Sequence, residues 1–388
     1  MKNLAIIGHA ATQRQLLIKA QHLDVEIYLF GERDDKDTQE MAHFYFPIDE
    51  WEKETILEIC QKRKIDGIIS LGSDTATTTV NYVAHHMGLA GNGLLADSRC
   101  TNKIELRKAL SNAGMFNPHF EEFDTPSFDA KPFRFPVMVK PADASGSKGV
   151  QLVEYPGLVN RAINQALKWS ETGKVIVEDF VPGRELTVEM ISYSGRHRPL
   201  TITDKITTGA PHFVEVEHHQ PADIGRKLEK KVFEYVQKAL DVVGITNGAS
   251  HTEVILTPDQ QIHIVEVSGR IGGELIGTNT VMNSTGFDYV KAVIEVALNQ
   301  FNPINYKFRA KGYAGAQYVL PKHGRIRRIL INTDYRPYIK KVIPMLKEGD
   351  MVHEVIDEAQ KRAGVILYAH PERKPHIIKE SILKFETV

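Results

Sequence analysis

Two cysteines, Cys60 and Cys100, stand far apart in 388 residues and outside any metal-ligand spacing. Neither a disulfide framework nor a zinc site is indicated. No apolar run approaches the roughly 20 residues of a membrane span. The run Leu4–Ile7 near the N-terminus, preceded by a single Lys, is too short for a secretory signal. Lys and Arg (48) balance Asp and Glu (49), and no basic run is long enough to follow a phosphate backbone. Nucleic acid is therefore not expected as the main partner. What is present is ordinary for a chain with a real core: 42% hydrophobic and 25% charged residues. The length suits two to three compact units, and a cytoplasmic protein without membrane contact is expected.

The first part alternates strand-like and helix-like pieces. Asn3–Ile7 ends at Gly8, Val25–Phe30 at Gly31, and Asp66–Leu71 at Gly72-Ser73-Asp74. This predicts a small doubly wound parallel α/β unit over residues 1–92. The stretch Gly8–Gln13 lacks the second and third glycines of a dinucleotide fingerprint, so these strand ends are read as a crevice for a small substrate. A short helix is predicted from Asn102, which has capping-box spacing to Glu105, to Gly114. Lys103 then sits in the first turn, where the helix dipole disfavours a cation by a few tenths of a kcal/mol and a bound anion would compensate. From Phe135 to Val181 the pattern is strand, glycine-rich turn, strand, helix, strand. A helix is predicted from Asp223 as N-cap to Gly244, with Ile224, Leu228, Val232, Val236, Leu240 and Val243 on one face. From about Phe301 a separate small α/β unit is expected.

Two carboxylates are placed where a core does not need them. His251–Leu256 and Ile262–Val267 have strand composition, with Pro258-Asp259 as the turn. A four-residue loop, 258–261, puts Glu253 directly opposite Glu266. Carboxylates about 4 Å apart repel by roughly 4 kcal/mol at an effective dielectric near 20, so the pair needs a cation, a shared proton or an exposed face. Arg270 and Gly272-Gly273 follow at once. A metal-plus-phosphate site is the sharper reading; a solvated hairpin face is the plainer one. The turn Asp143–Gly149 packs glycines and hydroxyls with Lys148 between two strands, and its backbone N–H groups could cradle phosphate. Lys140 ends the apolar strand Phe135–Val139 beside that turn. Glu178-Asp179-Phe180-Val181 leads to Gly183-Arg184-Glu185, a candidate hinge to read an adenine edge and ribose hydroxyls.

In this order the parts resemble the ATP-grasp superfamily. The motifs are Asn102-Lys103 opening a helix, Val137–Pro141 with Lys140, the loop Ser145-Gly146-Ser147-Lys148-Gly149, the hinge Val177–Val181 with Glu185, and Glu253…Glu266 running on to Gly273. Thr203-Asp204-Lys205 and Phe213–Pro221, with Glu215 and His218 spaced as Glu-x-x-His, are most similar to carboxylate–amine ligases that include the L-amino acid (dipeptide) ligases. The resemblance spans nearly the whole chain. It implies an α/β architecture of three parts: a pre-ATP-grasp unit, an ATP-grasp domain over 93–300 with a lid over about 116–183, and a C-terminal domain over 301–388.

The roles implied by that resemblance are as follows. Lys103, Lys140, Ser145, Gly146, Ser147, Lys148 and Gly149 would contact ATP phosphates. Glu178, Asp179 and Val181 would hold adenine, and Glu185 ribose. Glu253, Glu266 and Ser268 would ligate two Mg²⁺ ions, with Mn²⁺ as a substitute. Ser268 stands where the family usually has Asn. Arg270 and Lys205 would be catalytic, and Glu215, His218 and Asp74 would meet the substrates, a small-molecule carboxylate and an amine. A homodimer is expected because related enzymes commonly pair. Formate-dependent purine-biosynthesis ligases and the biotin-carboxylase subunit share the length and layout, and a non-catalytic ATP-binding protein is the remaining reading.

Overall fold

A computed structural model gives the fold and describes the chain except residues 9–10, 33–35, 211–212, 274, 307–311, 333–336, 353–362 and 373. Part of the Gly8–Gln13 stretch therefore lies outside the described residues. So does residue 274, directly after Gly272-Gly273. Among the described residues no helix is long and apolar enough to cross a membrane.

The N-terminal unit is the expected parallel sheet, ordered Phe44–Phe46, Val25–Phe30, Lys2–Ile7, Gly67–Ile69. The helix Asp74–Met87 begins just beyond the end of the last strand. Ser73 caps it, its hydroxyl accepting from the Ala76 N–H. Its last strand and helix thus deliver Asp74 towards the rest of the molecule.

Residues 120–179 form a four-stranded antiparallel sheet in the order Phe120–Phe123, Val175–Asp179, Val137–Pro141, Gln151–Val153. The helix Pro156–Leu167 covers one face of it, burying Val159, Ala162, Ile163 and Ala166 against Val137, Val139 and Val177. The other end of the molecule is an eight-stranded antiparallel sheet. Its order is Ile262–Ser268, Gly248–Leu256, Arg184–Tyr193, Arg196–Thr207, Glu215–Gln220, Tyr313–Val319, Gly364–His370, Ile339–Pro344. The last three strands come from the segment expected to stand apart after Phe301. That segment instead extends the central sheet, because the strand Glu215–Gln220 offers it a pairing edge.

Helices cover both faces of the central sheet. Arg226–Val243 buries Val232, Val236, Leu240 and Val243 on Leu186, Val188, Ile264 and Val267, each worth roughly 1.5–3 kcal/mol of apolar transfer. It starts at Gly225, not at Asp223: the Asp223 carbonyl accepts from Arg184 and its N–H faces the Asp204 carboxylate, which leaves Asp223 outside the helix. On the opposite face, Tyr289–Ala297 packs Tyr289, Val293 and Ile294 against Ile191 and Ala249 and also against Leu4, Ile6 and Leu16. One core thus joins the N-terminal unit to the central sheet.

Candidate active site

A cavity of about 270 Å³ lies between the four-stranded sheet and the central sheet. Each wall has a local cause. The helix Lys103–Asn112 starts at Asn102, whose side chain accepts from the N–H groups of Ile104 and Glu105 at 3.0 and 3.2 Å. That cap is worth about 1 kcal/mol and fixes Lys103 in the first turn. Lys103 Nζ donates to the Ala144 carbonyl at 2.8 Å and stands 3.4 Å from Glu266. The helix end, the glycine-rich turn and the acidic strand therefore meet at one ammonium.

Glu253 and Glu266 are register partners in adjacent antiparallel strands, with a bulge immediately after Glu253. Both line the cavity. Their repulsion is met by cations of the protein: Lys205 stands 2.9 Å from Glu253, 2.8 Å from Glu215 and 3.8 Å from Glu185. Burial alone would raise the Glu253 carboxyl, but Lys205 and His251 outweigh it and hold it below the usual carboxylate range. Burial would likewise strip the proton from Lys205, yet Glu215, Glu253 and Glu185 keep its value well above that of a free lysine.

A second layer supports this group. His251 pairs with the fully buried Glu189 and stands 3.8 Å from Glu253. Burial opposes its charge, but Glu189 and Glu253 prevail and push His251 up to about 10. Further in, Arg107 is 1% exposed and donates through Nε to Glu178 at 2.9 Å and through Nη1 to the Ile264 carbonyl at 2.9 Å. Glu178 also takes Lys140 as a partner. Burial lowers the Lys140 ammonium, and Glu178 offsets that only in part. For Glu178, burial pushes upward and is overcome by Arg107 and Lys140, so it stays strongly acidic.

Most residues named from the sequence converge here. Lys103, Lys140, Ser145, Gly146, Ser147, Glu178, Asp179, Val181, Glu185, Lys205, Glu215, His218, Glu253, Glu266 and Arg270 all line the cavity. Four do not. Lys148 is exposed, and Gly149, at φ +71°, packs so closely on Trp169 that a Cβ would lie 2.7 Å from its ring. Ser268 is 2% exposed at the strand end opposite His251, which leaves its hydroxyl little surface to offer an ion. Asp74, expected at a substrate, spends both carboxylate oxygens on Arg270, at 2.6 and 2.8 Å. Glu178, expected at adenine, is engaged as the counter-ion of Lys140.

Sequence reading gave no role to Arg107, Glu189 or His251, and it named Met138, Phe180 and Phe213 only inside motifs, not as apolar walls. Arg107 had a signal, a charge on the apolar side of its helix between Ile104 and Leu110. Glu189 had another, an acid inside the apolar strand Leu186–Ile191. Arg107 sits where the helical period calls for an apolar side chain, Glu189 on the strand face that alternates with Leu186, Val188 and Met190, and both turn out paired.

A metal between Glu253 and Glu266 suits this donor set: two carboxylates and no thiolate, a hard-oxygen environment. Among the described residues no cluster of three His, Cys, Asp or Glu side chains is arranged to hold an ion. Two carboxylates with an open side fit an ion that completes its shell with phosphate and water.

The profile of the ATP-grasp domain family matches residues 133–279, which contain the glycine-rich turn, the hinge and both glutamates. The matched stretch, residues 133–279, is similar to the ATP-grasp domain. The alanine–anticapsin ligase of Bacillus subtilis (strain 168) is 24% identical over 63% of this chain and 57% of its own length. The alignment thus spans little more than half of that relative. Among solved structures, this chain is similar to the L-amino acid ligase of Bacillus licheniformis, with a TM-score of 0.82 at 23% identity over 96% of this chain and 94% of that one. It is also similar to the biotin carboxylase domain of a 2-oxoglutarate carboxylase from Hydrogenobacter thermophilus, solved with MgADP, ADP and bicarbonate. There the TM-score is 0.73 at 16% identity, over 96% and 86% of the two chains. At these identities the likeness is one of fold.

Proposed function

We propose that the protein is an ATP-dependent carboxylate–amine ligase, joining a small carboxylate to an amine through an acyl phosphate and releasing ADP and phosphate. One observation carries this reading: Lys103, Lys140, Lys205 and Arg270 surround the facing pair Glu253 and Glu266 in one cavity. Four cations suit a polyphosphate, and two open carboxylates suit the ion that accompanies it. The similarity to an alanine–anticapsin ligase and to an L-amino acid ligase supports an amino acid as one substrate.

The chain's own residues would work mainly by position and charge. Met138, Val181 and Phe180 offer an apolar slot for a base, with Glu185 at the ribose. Lys103 would exchange Glu266 for phosphate oxygens, and Lys140 would meet them while Glu178 remains its counter-ion. Ser145, Gly146 and Ser147 would close over those oxygens. A bound Mg²⁺ would neutralise charge developing between the terminal phosphates. Arg270 would face the transferred phosphoryl group, and Glu215 with His218, 3.3 Å apart, would face the amino substrate. Phosphoryl transfer asks little covalent work of a protein, so holding the carboxylate in line supplies most of the acceleration.

The test is a matrix of amino acids against amines, with ADP release measured and products identified by mass. Formate and bicarbonate-plus-biotin are included as further acceptors. Amide products support the reading; ADP release only with formate or with bicarbonate and biotin replaces it. Glu266→Gln and Arg270→Met are each expected to cut substrate-dependent ADP release by about 100-fold or more, with unchanged circular dichroism. Near-normal turnover in both variants refutes the assignment of this hairpin.

A further inference from the structure

Asp74 and Arg270 reach one another across 196 residues of sequence and belong to different units. Asp74 is the first residue of the helix Asp74–Met87, held by the Ser73 cap. Arg270 follows the strand Ile262–Ser268, and its side chain is 13% exposed. Its Nε and Nη2 donate to the two oxygens of Asp74, and Nη1 donates to the Ile271 carbonyl at 3.2 Å.

A guanidinium has five N–H donors in one rigid plane. Three are used here. Two are left, one on each terminal nitrogen, and no described residue accepts from them. Arg270 nevertheless lines the cavity. A guanidinium pinned along one edge by a carboxylate cannot rotate, and its spare donors become a fixed two-pronged grip for a phosphate or carboxylate. Without Asp74 the same side chain would have to be ordered anew each time an oxyanion bound, an entropic cost that weakens binding.

We propose that Asp74 is a positioning residue that aims the free donors of Arg270 at an oxyanion in the cavity, making the N-terminal unit a working part of the transfer site. This goes beyond a substrate contact by Asp74, since both of its oxygens already serve Arg270. The identity of the oxyanion, the transferred phosphoryl group or the released phosphate, rests on the ligase reading.

The experiment titrates inorganic phosphate into full-length protein saturated with MgADP, followed by calorimetry, with ADP affinity and melting temperature recorded for every variant. Asp74→Asn keeps the size and removes the charge. It is expected to weaken phosphate binding by about tenfold or more, as loss of a charge-assisted contact does, while ADP affinity stays within about twofold. Asp74→Glu should recover part of the loss. Arg270→Met should abolish the phosphate response, and adding Asp74→Asn to it should cost nothing further. The proposal is overturned by unchanged phosphate affinity in Asp74→Asn or by additive effects in the double variant. It is equally overturned by parallel loss of ADP and phosphate affinity, or by wild-type protein that binds no phosphate beside MgADP. No acceptor is needed, so this result stands apart from the ligase reading: failure of every carboxylate–amine pair to release ADP would sink that reading alone.

Discussion

At the scale of single residues, the site is organised by charges that answer other charges. Glu178 is 2% exposed and binds both Arg107 and Lys140. Replacing it by Gln leaves two buried cations short of a partner, a change that costs about 3–5 kcal/mol. The Glu178 carboxyl lies below its ordinary value, because Arg107 and Lys140 outweigh the burial that would raise it. Its contribution is therefore complete above about pH 4.3, the unfolded value, and is lost as the pH falls through the folded one. Chemical denaturation should show a large gap between wild type and Glu178→Gln at neutral pH that narrows at about pH 3.5. A gap that is constant with pH would mean that the carboxylate is not ionised against these partners. The variant should also weaken nucleotide binding, since Lys140 would lose the partner that offsets its desolvation.

At the scale of elements, two adjacent glycines make a sharp comparison. A Cβ on Gly272 would stand 2.6 Å from Nδ1 of His251 and 2.9 Å from the Glu189 carboxylate, whereas one on Gly273 would meet nothing within 4 Å. Gly272→Ala must push the buried Glu189–His251 pair apart and should cost about 1–3 kcal/mol, the usual penalty for overpacking. Gly273→Ala should melt within about 0.5 kcal/mol of wild type. Equal melting temperatures for the two variants would contradict this packing. The same contrast explains what could be read in advance. Gly272-Gly273 was visible as a pair after Arg270, and so was the Asn102 cap; Glu253 does face Glu266, but the connection runs over 257–261 rather than 258–261, and the bulge after Glu253 restores the register. What Gly272 touches was not visible, since Glu189 lies 83 residues away. Arg107 finds Glu178 across 71 residues, and Asp74 finds Arg270 across 196. Composition and spacing carry no term for such pairings, so Asp74 and Glu178 were assigned to ligands when their nearest partners are side chains of the protein.

At the scale of the whole molecule, the boundary near Phe301 separates less than its sequence suggests. The strand Tyr313–Val319 pairs with Glu215–Gln220 in the register His218↔Ala316 and His219↔Gly315. The approach is so close that a Cβ on Gly315 would lie 2.2 Å from the His218 carbonyl. Among the described residues, three side chains from beyond the boundary finish the polar contacts of this strand: the Tyr368 hydroxyl lies 2.6 Å from His219, and Lys379 and Gln317 lie 2.9 and 3.2 Å from Glu217. Burial would raise the Glu217 carboxyl, but His219 and Lys379 bring it down to about 2, so removing Lys379 leaves a half-buried carboxylate without its cation. A chain ending at residue 300 would also expose the backbone of the strand that carries Glu215 and His218, and a bare strand edge is a template for aggregation. Expression of residues 1–300 is therefore expected to give insoluble or oligomeric protein, while the full chain gives a discrete species on size-exclusion chromatography. A soluble, cooperatively melting 1–300 fragment that binds MgADP as the full chain does would show that the central sheet closes without its last three strands. Failure of the fragment would place the C-terminal strands inside the structural unit that holds the Glu215 and His218 side of the cavity, so that domain exchange at residue 301 would disrupt that wall.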